Sequence, residues 1–198
     1  MASSSIAEPR ALEILAFWFD EPSGELAQLR KVWFQKNTAF DEQIRQRFLT
    51  DYEKAATGQL ETWKTHPKSC LALILLLDQF PRNLFRQNSR SFATDKQAVA
   101  VAQWAIDQGF NQSLIPVEQL FVYLPFEHSE QLTNQHRAVT LIEPLGEADP
   151  GLVSCVDYAY RHRDVIERFG RFPHRNEILG RSTTLAEAEF LRQPGSRF

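Results

Sequence analysis

The chain has 198 residues, 43% of them hydrophobic and 24% charged, with a net charge of −3. That is an ordinary globular composition with enough apolar material for one core, so a single domain over 1–198 is expected and a disordered or fibrous chain is not. Nucleic acid is not the expected partner: its binders carry a basic stripe, whereas the arginines after residue 160 (Arg161, Arg163, Arg168, Arg171, Arg175, Arg181) are mixed with Asp164, Glu167 and Glu177.

Residues 1–10 show no basic region followed by an apolar stretch, so no signal peptide is expected and the cytoplasm is the expected compartment. After a Ser-rich start, 6–19 reads as a helix ending in Phe17-Trp18-Phe19, and 20–24 as a turn. Apolar residues recur at Leu26, Leu29, Val32 and Trp33, then at Phe40, Ile44, Phe48 and Tyr52, in helical steps of three and four. Gly58 is placed to end this pair.

Segment 67–80 is apolar on every side from Leu71 to Leu77, which predicts a helix at the centre of the domain. It is too short to span a membrane. Pro81 is expected to stop it. An alanine-rich amphipathic helix follows at 94–108 with Gly109 as its stop, then one that Pro116 opens and Pro125 closes. Helices are expected at 127–142, ending at Pro144 and Gly146, and at 152–169, ending at Gly170. Shorter ones are expected at 176–179 and 184–191, the last with Thr184 and Glu187 at capping-box spacing. No alternating strand pattern and no convincing internal repeat are present. The fold class is all-α: an irregular array of about eight to ten helices, either a helix-pair superhelix or a compact bundle.

Three polar groups stand beside proline turns: Asp78-Gln79-Phe80-Pro81-Arg82-Asn83, Leu124-Pro125-Phe126-Glu127-His128-Ser129-Glu130 and Arg171-Phe172-Pro173-His174-Arg175-Asn176. The first and third each end in Arg-Asn. If both turns fall at one end of the helices, Arg82, Asn83, Arg175 and Asn176 would frame a site for a carboxylate or phosphate; alternatively they cap helices and tie loops. Asp78 lies near the C-terminus of an apolar helix, where dipole and burial both disfavour charge, so it needs a partner among Arg82, Arg171 and Arg175.

Glu127 and His128 suit a helix start, or acid–base chemistry. Neighbours on a helix point about 100° apart, so pairing either with His162 or His174 is geometrically freer. Metal spacing motifs are missing, and so are a Gly-rich phosphate loop and a Gly-x-Ser-x-Gly elbow, so no metal or cofactor is expected. Cys70 and Cys155 lie far apart in apolar segments and read as buried thiols in a reducing compartment. The leading reading is a binding module for an anionic small molecule or peptide; the alternatives are a hydrolase-like enzyme using Glu127, His128 and His174, and a purely structural polar network.

These three motifs, with Ile14 to Phe19, Trp33-Phe34, Phe40-Asp41 and Leu179-Gly180-Arg181, resemble a largely bacterial family known only as domain of unknown function 924. The resemblance covers nearly the whole chain. It implies a tetratricopeptide-like helical fold and no established activity.

Overall fold

The computed structural model describes residues 6–19 and 29–197. The Ser-rich start, the turn expected at 20–24 and Leu26 lie outside the described residues. Among the described residues there are nine α-helices and no strand: α1 (Pro9–Phe19), α2 (Lys31–Phe34), α3 (Thr38–Ala56), α4 (Pro67–Leu84), α5 (Asp95–Asp107), α6 (Pro116–Glu127), α7 (Leu132–Ala148), α8 (Val153–Phe169) and α9 (Leu185–Phe190). None is long and apolar enough to cross a membrane.

The apolar run dictates the arrangement. Every residue from 69 to 81 is buried, because a helix without a polar face must be covered all round. The cover comes from α1, α3, α5 and α6, while α6, α7 and α8 pack one on the next. Aromatic rings fasten α1 and α2 to this centre. Trp18 lies 5.3 Å from Phe80 of α4 and 5.7 Å from Phe121 of α6, and Trp33 meets Phe121 edge-on at 4.8 Å. The Trp33 indole N–H donates to the Trp18 carbonyl at 3.0 Å. Each such buried side chain contributes about 1.5–3 kcal/mol, so Trp18, Phe19 and Trp33 belong to the core, whereas Phe34 is exposed.

The prolines do not end the helices as expected. Pro81, Pro125 and Pro144 lie inside α4, α6 and α7, which run on to Leu84, Glu127 and Ala148. The reason is clearest at Pro81. Its missing N–H leaves the Leu77 carbonyl without its helical donor, and the Thr94 hydroxyl, arriving from the start of α5, donates to that oxygen at 2.6 Å. With the orphan satisfied and apolar packing on both sides, the helix continues. The continuation places Arg82 and Asn83 on helix rather than loop.

The helix expected from residue 127 begins instead at Leu132, and the one expected at 176–179 is a run of turns after a 3₁₀ turn at Pro173–Arg175. There the Arg181 N–H reaches back to the Asn176 carbonyl at 2.8 Å and Gly180 adopts φ +65°, closing the segment before a helix can propagate. Gly170 ends α8 at φ +68°, and Thr184 and Glu187 form the expected capping box of α9.

Candidate functional site

Asp78 stands in the penultimate turn of α4 and is wholly buried. His128, just past the end of α6, brings Nδ1 within 2.8 and 3.0 Å of its two oxygens. Gln79 donates at 2.6 Å, and Arg82 lies one turn on at 3.4 Å. Burial by itself would raise the Asp78 pKa, but Arg82, His128 and Gln79 outweigh it and hold it at about 2. An ionised carboxylate only accepts hydrogen bonds, so Nδ1 of His128 carries the proton and Nε2 keeps its lone pair. Burial, reinforced by the Arg82 charge, lowers the His128 pKa despite Asp78, so the ring is mainly neutral near pH 7. Among the described residues Nε2 has no hydrogen-bond partner, and the side chain remains 16% exposed.

A second acid extends the chain of charges. Asp95, the first residue of α5, takes Arg82 on one oxygen at 3.1 Å and Arg175 on the other at 3.3 Å. Arg175 comes from the 3₁₀ turn, donates to the His128 carbonyl at 3.0 Å, and lies over the rings of Phe92 and Phe172 at 4.6 and 4.5 Å. Burial, with the charge of Arg82, brings its pKa down to about 10 against the pull of Asp95. It is still a cation at neutral pH.

Glu127 precedes His128 and faces elsewhere, as neighbours on a helix must. Its Oε1 lies 3.3 Å from Nδ1 of His162 in α8, and that same nitrogen is 2.8 Å from the Tyr158 carbonyl, so it is the protonated one. Burial, with the nearby Asp78 charge, pushes the Glu127 pKa up to about 8, and burial drives His162 well below its usual range. At pH 7 this pair is an undissociated acid beside a neutral imidazole. The His162 ring stands 6.4 Å from His128 and 5.4 Å from Phe172, which in turn lies 5.6 Å from His174. Burial and Arg175 hold the His174 pKa down at about 3.

The fold therefore gathers some of the expected residues and separates others. Arg82 and Arg175 share Asp95, but the asparagines beside them do not join in. Asn83 turns to Asp41 at 2.7 Å, where Arg86 also binds, beside an open hollow of about 340 Å³. Asn176 donates to Glu187 at 3.3 Å, and Arg171 forks onto the same carboxylate at 2.6 and 2.9 Å. Of the three arginines offered to Asp78, only Arg82 reaches it. Gln79 and Asp95 were not singled out from sequence. Asp95 in the first turn of an amphipathic helix carries only the ordinary signal of an acid at a helix start. Glu130, too, acquires its role from tertiary structure: it takes the Phe172 N–H at 2.8 Å and both arms of Arg181 at 2.7 and 3.0 Å. Among the described residues no group of three or more His, Cys, Asp or Glu is arranged to hold a metal ion.

A solved structure of a protein of unknown function from Agrobacterium tumefaciens is similar at 42% identity and a TM-score of 0.82, over 92% of this chain and 97% of that one. No curated protein matches. The family model described as bacterial protein of unknown function (DUF924) matches residues 14–195. Nearly the whole chain, all three proline-turn motifs included, lies within that match, and the protein belongs to this bacterial family of unknown function.

Proposed function

We propose that this protein is an acid–base enzyme of hydrolytic type, with His128 as general base and Asp78 as the residue that orients it. One observation carries the reading: a wholly buried carboxylate holds Nδ1 of a mainly neutral histidine whose opposite nitrogen has no hydrogen-bond partner among the described residues and whose side chain is partly exposed. Glu127 is nine-tenths buried and engaged with His162; its part is to hold a proton behind the pair. His174 lies beyond Phe172 and positions the turn.

A module for anionic ligands has less support, because Arg82 and Arg175 are already offset by Asp78 and Asp95. A structural role for the whole network is the second reading. It is favoured by how completely the network joins α4, α5, α6 and the C-terminal turn. The rest of the proposal is one domain, a tetratricopeptide-like arrangement supported by the serial packing of α6, α7 and α8, and a cytoplasmic setting supported by the free buried thiols Cys70 and Cys155.

Hydrolysis of p-nitrophenyl acetate tests the base, since an oriented, activated imidazole turns the ester over well above the rate of free imidazole at equal concentration. His128→Gln should lower the rate by about 10²-fold or more at unchanged fold content, and Asp78→Asn should lower it through the wrong tautomer. Equal rates for wild type and His128→Gln would sink the reading. A purely structural network predicts that outcome, with only melting temperature altered by Asp78→Asn.

A further inference from the structure

We infer that Asp95 is a positioning residue for the proposed base: it holds Arg82 off the Asp78 carboxylate and so reserves that carboxylate for Nδ1 of His128. Its effect on activity rests on the acid–base reading of His128; the geometry, and the tautomer that the geometry fixes, do not.

Asp78 and Arg82 stand one helical turn apart on α4, the spacing at which an acid and an arginine meet, and an arginine fork fits a carboxylate with two parallel hydrogen bonds. That fork is not formed. Among the described residues the hydrogen bonds to the Asp78 carboxylate come from His128, at 2.8 and 3.0 Å, and from Gln79 at 2.6 Å. Arg82 directs Nη1 to the Asp78 backbone carbonyl and sets Nη2 between two acids, 3.1 Å from Asp95 and 3.4 Å from Asp78. Left with one acid, the guanidinium would close on Asp78, because that carboxylate is wholly buried and attraction there is screened least. Arg82 and His128 address the same oxygen, Oδ1, so an arginine fork on Asp78 would compete with the imidazole for it.

Asp95 is itself held from two sides. Its neighbour Thr94 donates to the Leu77 carbonyl that Pro81 leaves without a helical donor, which pins the start of α5 beside Arg82. Its second oxygen takes Arg175 at 3.3 Å, and Arg175 donates in turn to the His128 carbonyl at 3.0 Å. Asp78, His128, Arg175, Asp95 and Arg82 therefore close a ring. Within it Asp95 steadies the backbone of His128 through one arginine and withholds the other from the acid that His128 uses. The charges cancel, two acids against two arginines, around an imidazole that is mainly neutral. The other titratable groups beside the ring, Glu127 and His162, are mainly uncharged near pH 7 as well. Removing the Asp95 charge leaves both arginines facing one acid, and Arg82 moves across to Asp78.

The test reads the His128 tautomer by multiple-bond proton–nitrogen NMR at neutral pH, together with the p-nitrophenyl acetate rate. It uses the whole chain as wild type, Asp95→Asn, Arg82→Gln and the double variant. Asp95→Asn should lose the fixed Nδ1 proton and slow the ester about tenfold or more. Adding Arg82→Gln removes the competitor, so the double variant should regain the Nδ1 proton and most of the rate, which a merely structural Asp95 does not predict. Arg82→Gln alone should keep the proton on Nδ1 and move the His128 midpoint upward, since burial and the Arg82 charge together lower it. That arm keeps the test decisive if Asp95→Asn fails to fold. An Asp95→Asn protein with the wild-type tautomer and rate, a double variant whose proton stays off Nδ1, or an Arg82→Gln protein that loses it would each overturn the inference. A wild-type proton on Nε2 would overturn the acid–base reading as well, whereas variants that leave a wild-type Nδ1 proton unmoved overturn the role of Asp95 alone.

Discussion

Glu127→Gln should make the protein more stable, by a margin that grows as pH rises from about 5 towards 8. Burial holds the Glu127 carboxyl at a pKa of about 8 against an ordinary 4.5, so the folded state keeps a proton that the unfolded chain gives up. Stability from this group is complete below about pH 4.5 and is lost progressively as pH rises towards 8, because folding must then either recapture a proton or bury a charge. The displacement is about 3.5 pH units, and at about 1.4 kcal/mol per unit it is worth about 5 kcal/mol above pH 8 and about 3 kcal/mol at pH 7. Glutamine has nearly the shape of the neutral acid and never ionises, so it escapes this loss. Urea unfolding followed by tryptophan fluorescence at pH 5, 7 and 9 should show two curves that converge at pH 5 and separate by several kcal/mol at pH 9. Parallel curves, or a variant weaker at every pH, would refute the argument that Glu127 is buried as an acid.

Asp78 has the opposite sign. Its folded pKa of about 2 against 3.8 makes it a source of about 2 kcal/mol at neutral pH, present above about pH 4 and lost as pH falls through 2. Asp78→Asn should therefore flatten the acid limb of the stability–pH curve measured by urea unfolding. Thr94→Val removes the donor to the Leu77 carbonyl and should cost about 1–3 kcal/mol; in a Pro81→Ala background, where the helix supplies its own donor, thermal denaturation should show a much smaller cost. Gly170→Ala places a Cβ at φ +68° and should lower stability by about 1 kcal/mol in the same assay.

The helices were legible because their apolar periodicity is local, and the centre was legible because seven successive apolar residues leave no alternative to full cover. The ends were misread where a distant contact decides them. Nothing near Pro81 reveals that Thr94 will satisfy Leu77. The same limit applies at the site. Reading Arg82-Asn83 and Arg175-Asn176 as pairs treats adjacent residues as sharing a direction, whereas the helical turn sends Arg82 to Asp78 and Asp95 and Asn83 to Asp41. The need of Asp78 for a partner could be derived from burial and dipole alone. That its second partner is His128, 50 positions away, depends on how α6 lies against α4.

The most direct test of the account is the tautomer and titration of His128, read by multiple-bond proton–nitrogen NMR of the imidazole across pH 4 to 9. The predicted spectrum has the proton on Nδ1, an unprotonated Nε2 at neutral pH, and a midpoint below the ordinary 6.5. A proton resident on Nε2, or a midpoint above that value, would contradict the claim that Asp78 presents His128 as an open base.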